Sequence, residues 1–189
     1  MRELITAGVD EVGRGCLAGP VVSAAVILKR GINLSLLKDS KKITFKMRER
    51  ISEHIKSNSY FAIGIASVEE ILNLNILQAS LLSMKRALEK LAVRPGLTLI
   101  DGSFAPKGLK NYKTIINGDE KIKVISAASI VAKVYRDAFM IKLSEKFSNY
   151  AWERNFGYGT KAHLEGLKKF GITAHHRRGF KPIYKMLSR

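Results

Sequence analysis

Cysteine is almost missing from this 189-residue chain, where Cys16 stands alone. A single thiol excludes a disulfide framework and a thiolate zinc site. Cys16 is read as a small buried apolar residue in preference to a reactive thiol. No apolar run approaches the roughly 18 residues that a membrane span needs. The opening Met-Arg-Glu-Leu-Ile lacks the apolar core of a signal peptide, so a cytoplasmic location is expected. Internal repeats, low-complexity tracts and linkers are absent too, and the length suits one domain spanning residues 1–189. Acidic residues are scarce: 16 Asp plus Glu stand against 33 Lys plus Arg, a net charge of +17. Such an excess attracts polyanions, and nucleic acid is the usual partner of a basic domain. An anionic membrane surface is disfavoured because no amphipathic anchor is evident.

The few acids that exist occupy telling places. The stretch Gly8-Val9-Asp10-Glu11-Val12-Gly13-Arg14-Gly15-Cys16-Leu17-Ala18-Gly19-Pro20 runs an apolar strand into two adjacent carboxylates. A glycine-flanked arginine and a second apolar run, Val21 to Leu28, follow. Gly13, Gly15 and Gly19 are expected to let the backbone take positive φ and approach a ligand closely. Side-by-side carboxylates repel, and a cation between or beside them removes that repulsion. Gly13-x-Gly15-x-x-Ala18 also fits a dinucleotide fingerprint, but that motif must open a helix. Here Pro20 and the Val-rich run after it read as another strand, which rules the fingerprint out.

Further along, Lys38-Asp39-Ser40-Lys41-Lys42 reads as a basic turn, and Thr44 as the cap of a helix carrying Met47, Ile51, His54 and Ile55. His54, on or beside that apolar stripe, is read as a core or boundary residue. Residues Tyr60 to Ala66 form a third strand, and Ser67-Val68-Glu69-Glu70 is a capping box. One long helix is expected from there to about Ala92, ended by Arg94-Pro95-Gly96. The strand Leu97 to Ile100 delivers Asp101 at its carboxyl end, where ligands collect in open α/β sheets. Tyr112 to Ile116 is a strand and Asn117-Gly118-Asp119-Glu120 a turn. A helix then runs from Val124 to about Phe147. On it Ser126, Ser129, Lys133 and Asp137 make one polar stripe, either a solvated edge or the lining of a polar site. The irregular loop Trp152 to Gly159 leads to a helix from Thr160. From Lys161 onward eight Lys or Arg face a single acid, Glu165. His175-His176-Arg177-Arg178 suits phosphate better than zinc. Strands first and then mixed with helices indicate an α/β or α+β chain with a mixed sheet.

These blocks resemble the bacterial ribonucleases HII. The opening Gly-Val-Asp10-Glu11-x-Gly13-Arg14-Gly15-x-x-Ala-Gly-Pro is similar to the family's first signature. Asp39-Ser40-Lys41-Lys42, Asp101-Gly102, Gly118-Asp119, the run Ala127 to Asp137, and Gly157-Tyr158-x-Thr160-Lys161-x-His163 follow in the family's order. The resemblance implies a ribonuclease H-like α/β fold: a central mixed sheet flanked by helices, with a helical C-terminal part whose basic segment, about 160–189, completes the substrate groove. It implies an endonuclease that cuts the RNA strand of RNA/DNA hybrids and nicks 5′ of single ribonucleotides embedded in duplex DNA, leaving 3′-hydroxyl and 5′-phosphate ends. A monomer is expected. The family's metal-site carboxylates fall on Asp10, Glu11, Asp101 and Asp119. Asp137 is a second candidate for the last position, with pairing to Arg136 or Lys133 as its other role.

Oxygen ligands without nearby cysteine favour Mg²⁺ or Mn²⁺, and two such ions about 4 Å apart serve an in-line displacement on phosphate. Alternating strand residues point to opposite faces, so the chain is expected to bend out of its strand at Glu11. Choice of RNA must come from the 2′-hydroxyl. Gly13, Arg14 and Gly15 suit that role, with Tyr158 stacking by family likeness on the next deoxyribose. Lys41, Lys42, Lys161 and the basic tail are assigned to phosphates. The alternatives are another two-metal nuclease of the same fold and a non-enzymatic nucleic-acid-binding protein.

Overall fold

The computed structural model describes residues 4–33 and 44–188. The turn at residues 38–42, with Lys41 and Lys42, lies outside the described residues. Five strands form one mixed sheet: β1 (Thr6–Val12), β2 (Val21–Leu28), β3 (Ser59–Ala66), β4 (Leu97–Asp101) and β5 (Tyr112–Ile115). Their order is β3-β2-β1-β4-β5. The first three strands are antiparallel neighbours, whereas β4 runs parallel to β1 and β5 parallel to β4. The expected mixed sheet is therefore present.

Alternation along β2 builds both faces. Ala24 and Val26 pack with Ile51 and Ile55 of α1 (Phe45–Ser57) and with Ala127 to Ala132 of α5 (Lys123–Lys146). Ala25, one residue over, packs with Val9, Ile100 and the residues Met84 and Ala87 of α3 (Ile76–Glu89) on the other side. A side chain at Gly8 would collide with the Val124 carbonyl, so the missing Cβ lets the start of α5 settle onto β1. Thr44 caps α1 as expected, accepting the Met47 N–H at 3.3 Å.

The single helix expected after Ser67 is two. The capping box forms, with Ser67 and Glu70 each bonding the other's backbone N–H. It starts only a short α2 (Val68–Leu74). Asn75 then takes φ 69° and breaks the helical path, while its side chain accepts the Gln78 N–H and starts α3 afresh. Asparagine is among the few residues that tolerate such a φ and also cap well. Continuous apolar spacing across residues 71–82 hid this break.

Asn117-Gly118-Asp119-Glu120 is the start of a one-turn helix, α4 (Gly118–Lys121), entered through left-handed Asn117. The loop after residue 152 likewise begins with a short helix, α6 (Trp152–Asn155), preceded by a 3-10 turn at Ser148–Tyr150. Helices α7 (Lys161–Phe170) and α8 (Lys181–Leu187) complete the helical C-terminal part. They pack with Leu17, Ala18, Met140 and Trp152 in a separate apolar cluster. Among the described residues no helix is long and apolar enough to cross a membrane.

Candidate active site

The carboxyl ends of the parallel strands β1 and β4 bring Asp10 and Asp101 together. Pairing between these strands ends at Val9 opposite Ile100, so each acid follows the last paired residue of its strand. Asp10 is buried and accepts the Glu11 N–H at 2.7 Å. Its pKa is raised from 3.8 to about 8, first by burial and then by the neighbouring charge of Glu11, with Asp101 adding to it. A hydrogen bond from Ser129 of α5 pulls the other way. Asp101 Oδ1 accepts the Gly118 N–H at 2.6 Å and the Asp119 N–H at 3.4 Å, which anchors α4, and Asp119 with it, against the end of β4.

The bend expected at Glu11 is absent. β1 continues through Val12, with Asp10 opposite Ala24, Glu11 opposite Ser23 and Val12 opposite Val22. Ala24 belongs to the α5-side cluster, and the Ser23 hydroxyl bonds Ser83 on α3. Directly opposite residues of an antiparallel pair share a face, so Asp10 and Glu11 leave an unbroken strand on opposite faces. Past Val9 the strand has no β4 neighbour, and Glu11 still feels the charge of Asp101. Burial raises the Glu11 pKa, and the Arg14 guanidinium, 3.0 Å from Oε1, opposes that rise. Glu11 Oε2 is buried without a hydrogen-bond partner.

The two candidates for the fourth acid are separated by their surroundings. Asp119 sits half-buried in the first turn of α4, its N–H on Asp101. Asp137 is fully buried and bonded to Lys133 Nζ at 2.8 Å. Burial raises its pKa, and the charges that oppose this belong to Lys133, Arg136 and Arg48. The stripe that carries Asp137 is not a solvated edge: Ser126 and Asp137 are buried, and Ser129 and Lys133 half-buried. Lys133 Nζ lies 4.8 Å from the Phe156 ring centre and 5.9 Å from that of Tyr158.

Beyond the acids, the Gly13-Arg14-Gly15 turn divides. Gly13 has φ 91° and Gly19 φ 82°, but neither leaves space for a ligand. A Cβ on Gly13 would collide with Arg136 Nε, and one on Gly19 with Met140 Sδ. Only Gly15 keeps the open surface expected of all three: a Cβ there would meet nothing nearer than Tyr158 Cε1 at 4.0 Å. Arg14 is exposed, and so is Lys161, 3.9 Å from Glu165. Cys16 is buried, in keeping with the apolar reading.

The phosphate role expected for His176 and Arg177 is overturned, because both are buried. His176 Nδ1 accepts the Thr173 N–H at 2.9 Å, which puts its proton on Nε2, directed at His163 Nε2 3.1 Å away. His163 then donates from Nδ1 to the Tyr158 carbonyl at 2.9 Å, and Trp152 Nε1 also donates to His163 Nε2. Burial lowers the pKa of both histidines, that of His176 to about 4, so the chain of bonds stays neutral at pH 7. It holds Tyr158 in place from behind. Sequence reasoning missed this, as it missed Arg136, although Ala132, Arg136 and Met140 follow one another at helical spacing on a buried face.

Among the described residues no three acidic, histidine or cysteine side chains are already gathered as a ligand cage. The donor chemistry nevertheless fits a divalent cation. Glu11 Oε2 is buried and unpartnered, and Asp10 is held largely neutral by burial and by neighbouring like charges, both of which a cation would offset.

Comparison with known proteins agrees with this geometry. The family described as Ribonuclease HII matches residues 7–185. A ribonuclease HII of Pelagibacter ubique (strain HTCC1062) is 58% identical over 185 residues, covering 97% of this chain and 99% of that protein. Ribonuclease H2 from Pyrococcus horikoshii OT3 superimposes with a TM-score of 0.80 at 25% identity, over 97% of each chain. Bst-RNase HIII, solved in complex with Mn²⁺, has a TM-score of 0.73 at 19% identity, covering 98% of this chain and 70% of its own, and shares the fold. A parallel strand pair ending in Asp10 and Asp101, a Gly-Arg-Gly turn beside Tyr158, and a match over nearly the whole length lead to one assignment: the chain belongs to the ribonuclease HII family and is an endoribonuclease.

Proposed function

We propose that this enzyme cuts the RNA strand of RNA/DNA hybrids, and nicks 5′ of ribonucleotides embedded in duplex DNA, at a divalent-cation site made by Asp10, Glu11, Asp101 and Asp119. One observation carries the reading. Asp10 and Glu11 are buried, which raises the pKa of both, and the charge of Asp101 adds to the rise, yet Arg14 is the one cation bonded to any of the three among the described residues. A structural cluster would be neutralised, whereas a cluster that receives a cation and a phosphate must stay available.

Held by these carboxylates, a divalent cation would supply charge neutralisation on the phosphate and a more acidic water. Mg²⁺ and Mn²⁺ suit these oxygen donors. Asp10 and Asp101 present oxygen from the same end of the sheet. Glu11 reaches the site around the open edge of β1, leaving Arg14 free to take a phosphate in its place. Asp119 closes the set from α4. Gly15, open and next to Tyr158, lets the duplex backbone come close enough for main-chain groups to bond a 2′-hydroxyl. Tyr158 packs on the following sugar. Lys41, Lys42, Lys161 and the exposed cations of the basic segment 160–189 hold phosphates without reading sequence. The single domain thereby forms the groove as a monomer, acting on cytoplasmic nucleic acid.

The test is a duplex with one embedded ribonucleotide, incubated with Mg²⁺ or Mn²⁺ and the wild type, with Asp10→Asn as control. A nick on the 5′ side that yields 3′-hydroxyl and 5′-phosphate ends, absent from the control, is expected. Binding without cutting would favour a non-enzymatic nucleic-acid-binding protein.

A further inference from the structure

Two buried guanidiniums lie behind the turn that carries Gly15, and among the described residues neither is ion-paired to a carboxylate. Arg136 is wholly buried, and Arg177 is 1% exposed. Their hydrogen bonds go to main-chain carbonyls. Arg136 donates from Nε to Pro20 at 3.0 Å, from Nη2 to Ala18 at 3.0 Å and from Nη1 to Phe156 at 2.8 Å. Arg177 donates from Nε to Gly19 at 2.9 Å, from Nη1 to Arg14 at 2.8 Å and from Nη2 to Pro20 at 3.1 Å. Residues 14–20 and 156 receive all six bonds. These are the two segments that carry Gly15 and lead into Tyr158. The main chain joins them as well, since the Leu17 N–H bonds the Gly157 carbonyl at 2.8 Å.

Burying a cation without an acid is costly, and apolar residues of similar size commonly stabilise a fold as well or better. The bonds therefore point to precision of position as the gain. Gly13 and Gly19 agree with this: the Cβ that each lacks would strike Arg136 or Met140, so two of the turn's glycines make room for the lock itself.

We propose that Arg136 and Arg177 are positioning residues for ribonucleotide recognition, which lock residues 14–20 and 156–158 into one preformed unit that fixes the Gly15 backbone against Tyr158. The proposal rests on the reading of Gly15 and Tyr158 as the sugar-sensing surface. Preorganisation of this kind removes the ordering cost that a loose turn would meet on binding. It also separates two substrates. A continuous RNA strand offers 2′-hydroxyls at every step and tolerates a shifted sensor, whereas a single ribonucleotide offers one.

The test compares cutting rates on a single-ribonucleotide duplex and on an RNA/DNA hybrid, because their ratio does not change with the fraction of folded enzyme. Arg136→Lys and Arg177→Lys keep the charge but replace a three-carbonyl fork with one ammonium. Each is expected to lower the ratio about tenfold or more. Tyr158→Ala, measured alongside, is expected to lower it also. An unchanged ratio in the lysine variants with a lowered ratio in Tyr158→Ala overturns the lock and spares the sensor reading. An unchanged ratio in Tyr158→Ala overturns both. If a lysine variant does not fold, hydrogen exchange on the free wild type decides. Slow exchange at the Leu17, Gly19 and Arg177 amides before substrate is added is expected; fast exchange there contradicts a preformed unit.

Discussion

The acid end of the sheet and the turn beside it treat buried charge in opposite ways. Burial raises the pKa of Asp10 and Glu11, the charge of Asp101 adds to both, and Glu11 Oε2 is left without a partner. Arg136 and Arg177 are buried as deeply, yet each meets three carbonyl acceptors at 2.8 to 3.1 Å. Under the proposed function, one region keeps its charge unsatisfied so that an ion and a phosphate can enter. The other satisfies its charge internally so that a surface holds its shape. Chemistry requires the first condition and recognition the second, and a few residues of chain separate them. Glu11 and Arg14 form the join, since their ion pair belongs to both.

The comparison breaks most visibly if the acids are dispensable. Asp10→Asn is expected to lower the cutting rate on either substrate by about a thousandfold or more, the scale of losing one essential group of a concerted set. Single-turnover kinetics at saturating enzyme will show it; a loss of under tenfold would place the chemistry elsewhere.

Gly13→Ala tests the other region. The new methyl must displace Arg136 and adopt a φ of 91°, so a destabilisation of about 3 kcal/mol or more is expected in urea unfolding. Gly15→Ala sharpens the contrast within the same turn. Space exists there, and stability is expected to stay within about 1 kcal/mol of wild type while single-ribonucleotide cutting falls. Equal destabilisation by the two substitutions would erase the distinction between a buried lock and an open surface.

A smaller effect concerns pH without metal. Asp10 retains its proton in the folded chain up to about 8, whereas the unfolded chain releases it near 3.8. Between those values the folded state binds the extra proton, so stability from this group is full at low pH, falls as pH rises through the window and stays low above it. His163 and His176, whose pKa values are lowered, act with the opposite sign at the acid end. The difference between wild type and Asp10→Asn isolates the carboxyl. From pH 5 to 8 without metal, wild type is expected to lose at least about 1 kcal/mol relative to Asp10→Asn, and added Mn²⁺ to recover it.

Much of this architecture is legible in the sequence because the groups concerned are local. Strands, the caps at Thr44 and Ser67, and acids at strand ends follow from alternation and from short-range hydrogen bonds. What is not legible depends on partners far along the chain. Asn75 breaks a helix that apolar spacing alone would continue. Gly13 and Gly19 read as ligand-facing until Arg136, more than a hundred residues later, is seen to fill the space behind them. His176 and Arg177 read as surface charge because a basic tail is normally solvated, and only the Tyr150 and Trp152 rings around His176 and the carbonyls of residues 14–20 around Arg177 show them to be interior. Placing Asp10 and Glu11 by alternation was correct in itself. The bend itself is absent: β1 stays paired with β2 through Val12, and its other edge is open past Val9.

Calorimetric titration of Mn²⁺ into the metal-free protein at pH 7, in two buffers of different ionisation enthalpy, is the most direct test of the acid site. Asp10 must lose its proton for the cation to bind. Wild type is expected to release about one proton per protein as the site fills, and Asp10→Asn none, with weaker binding. Equal affinity for both proteins, or binding with no proton released by wild type, would contradict a cation site built on Asp10.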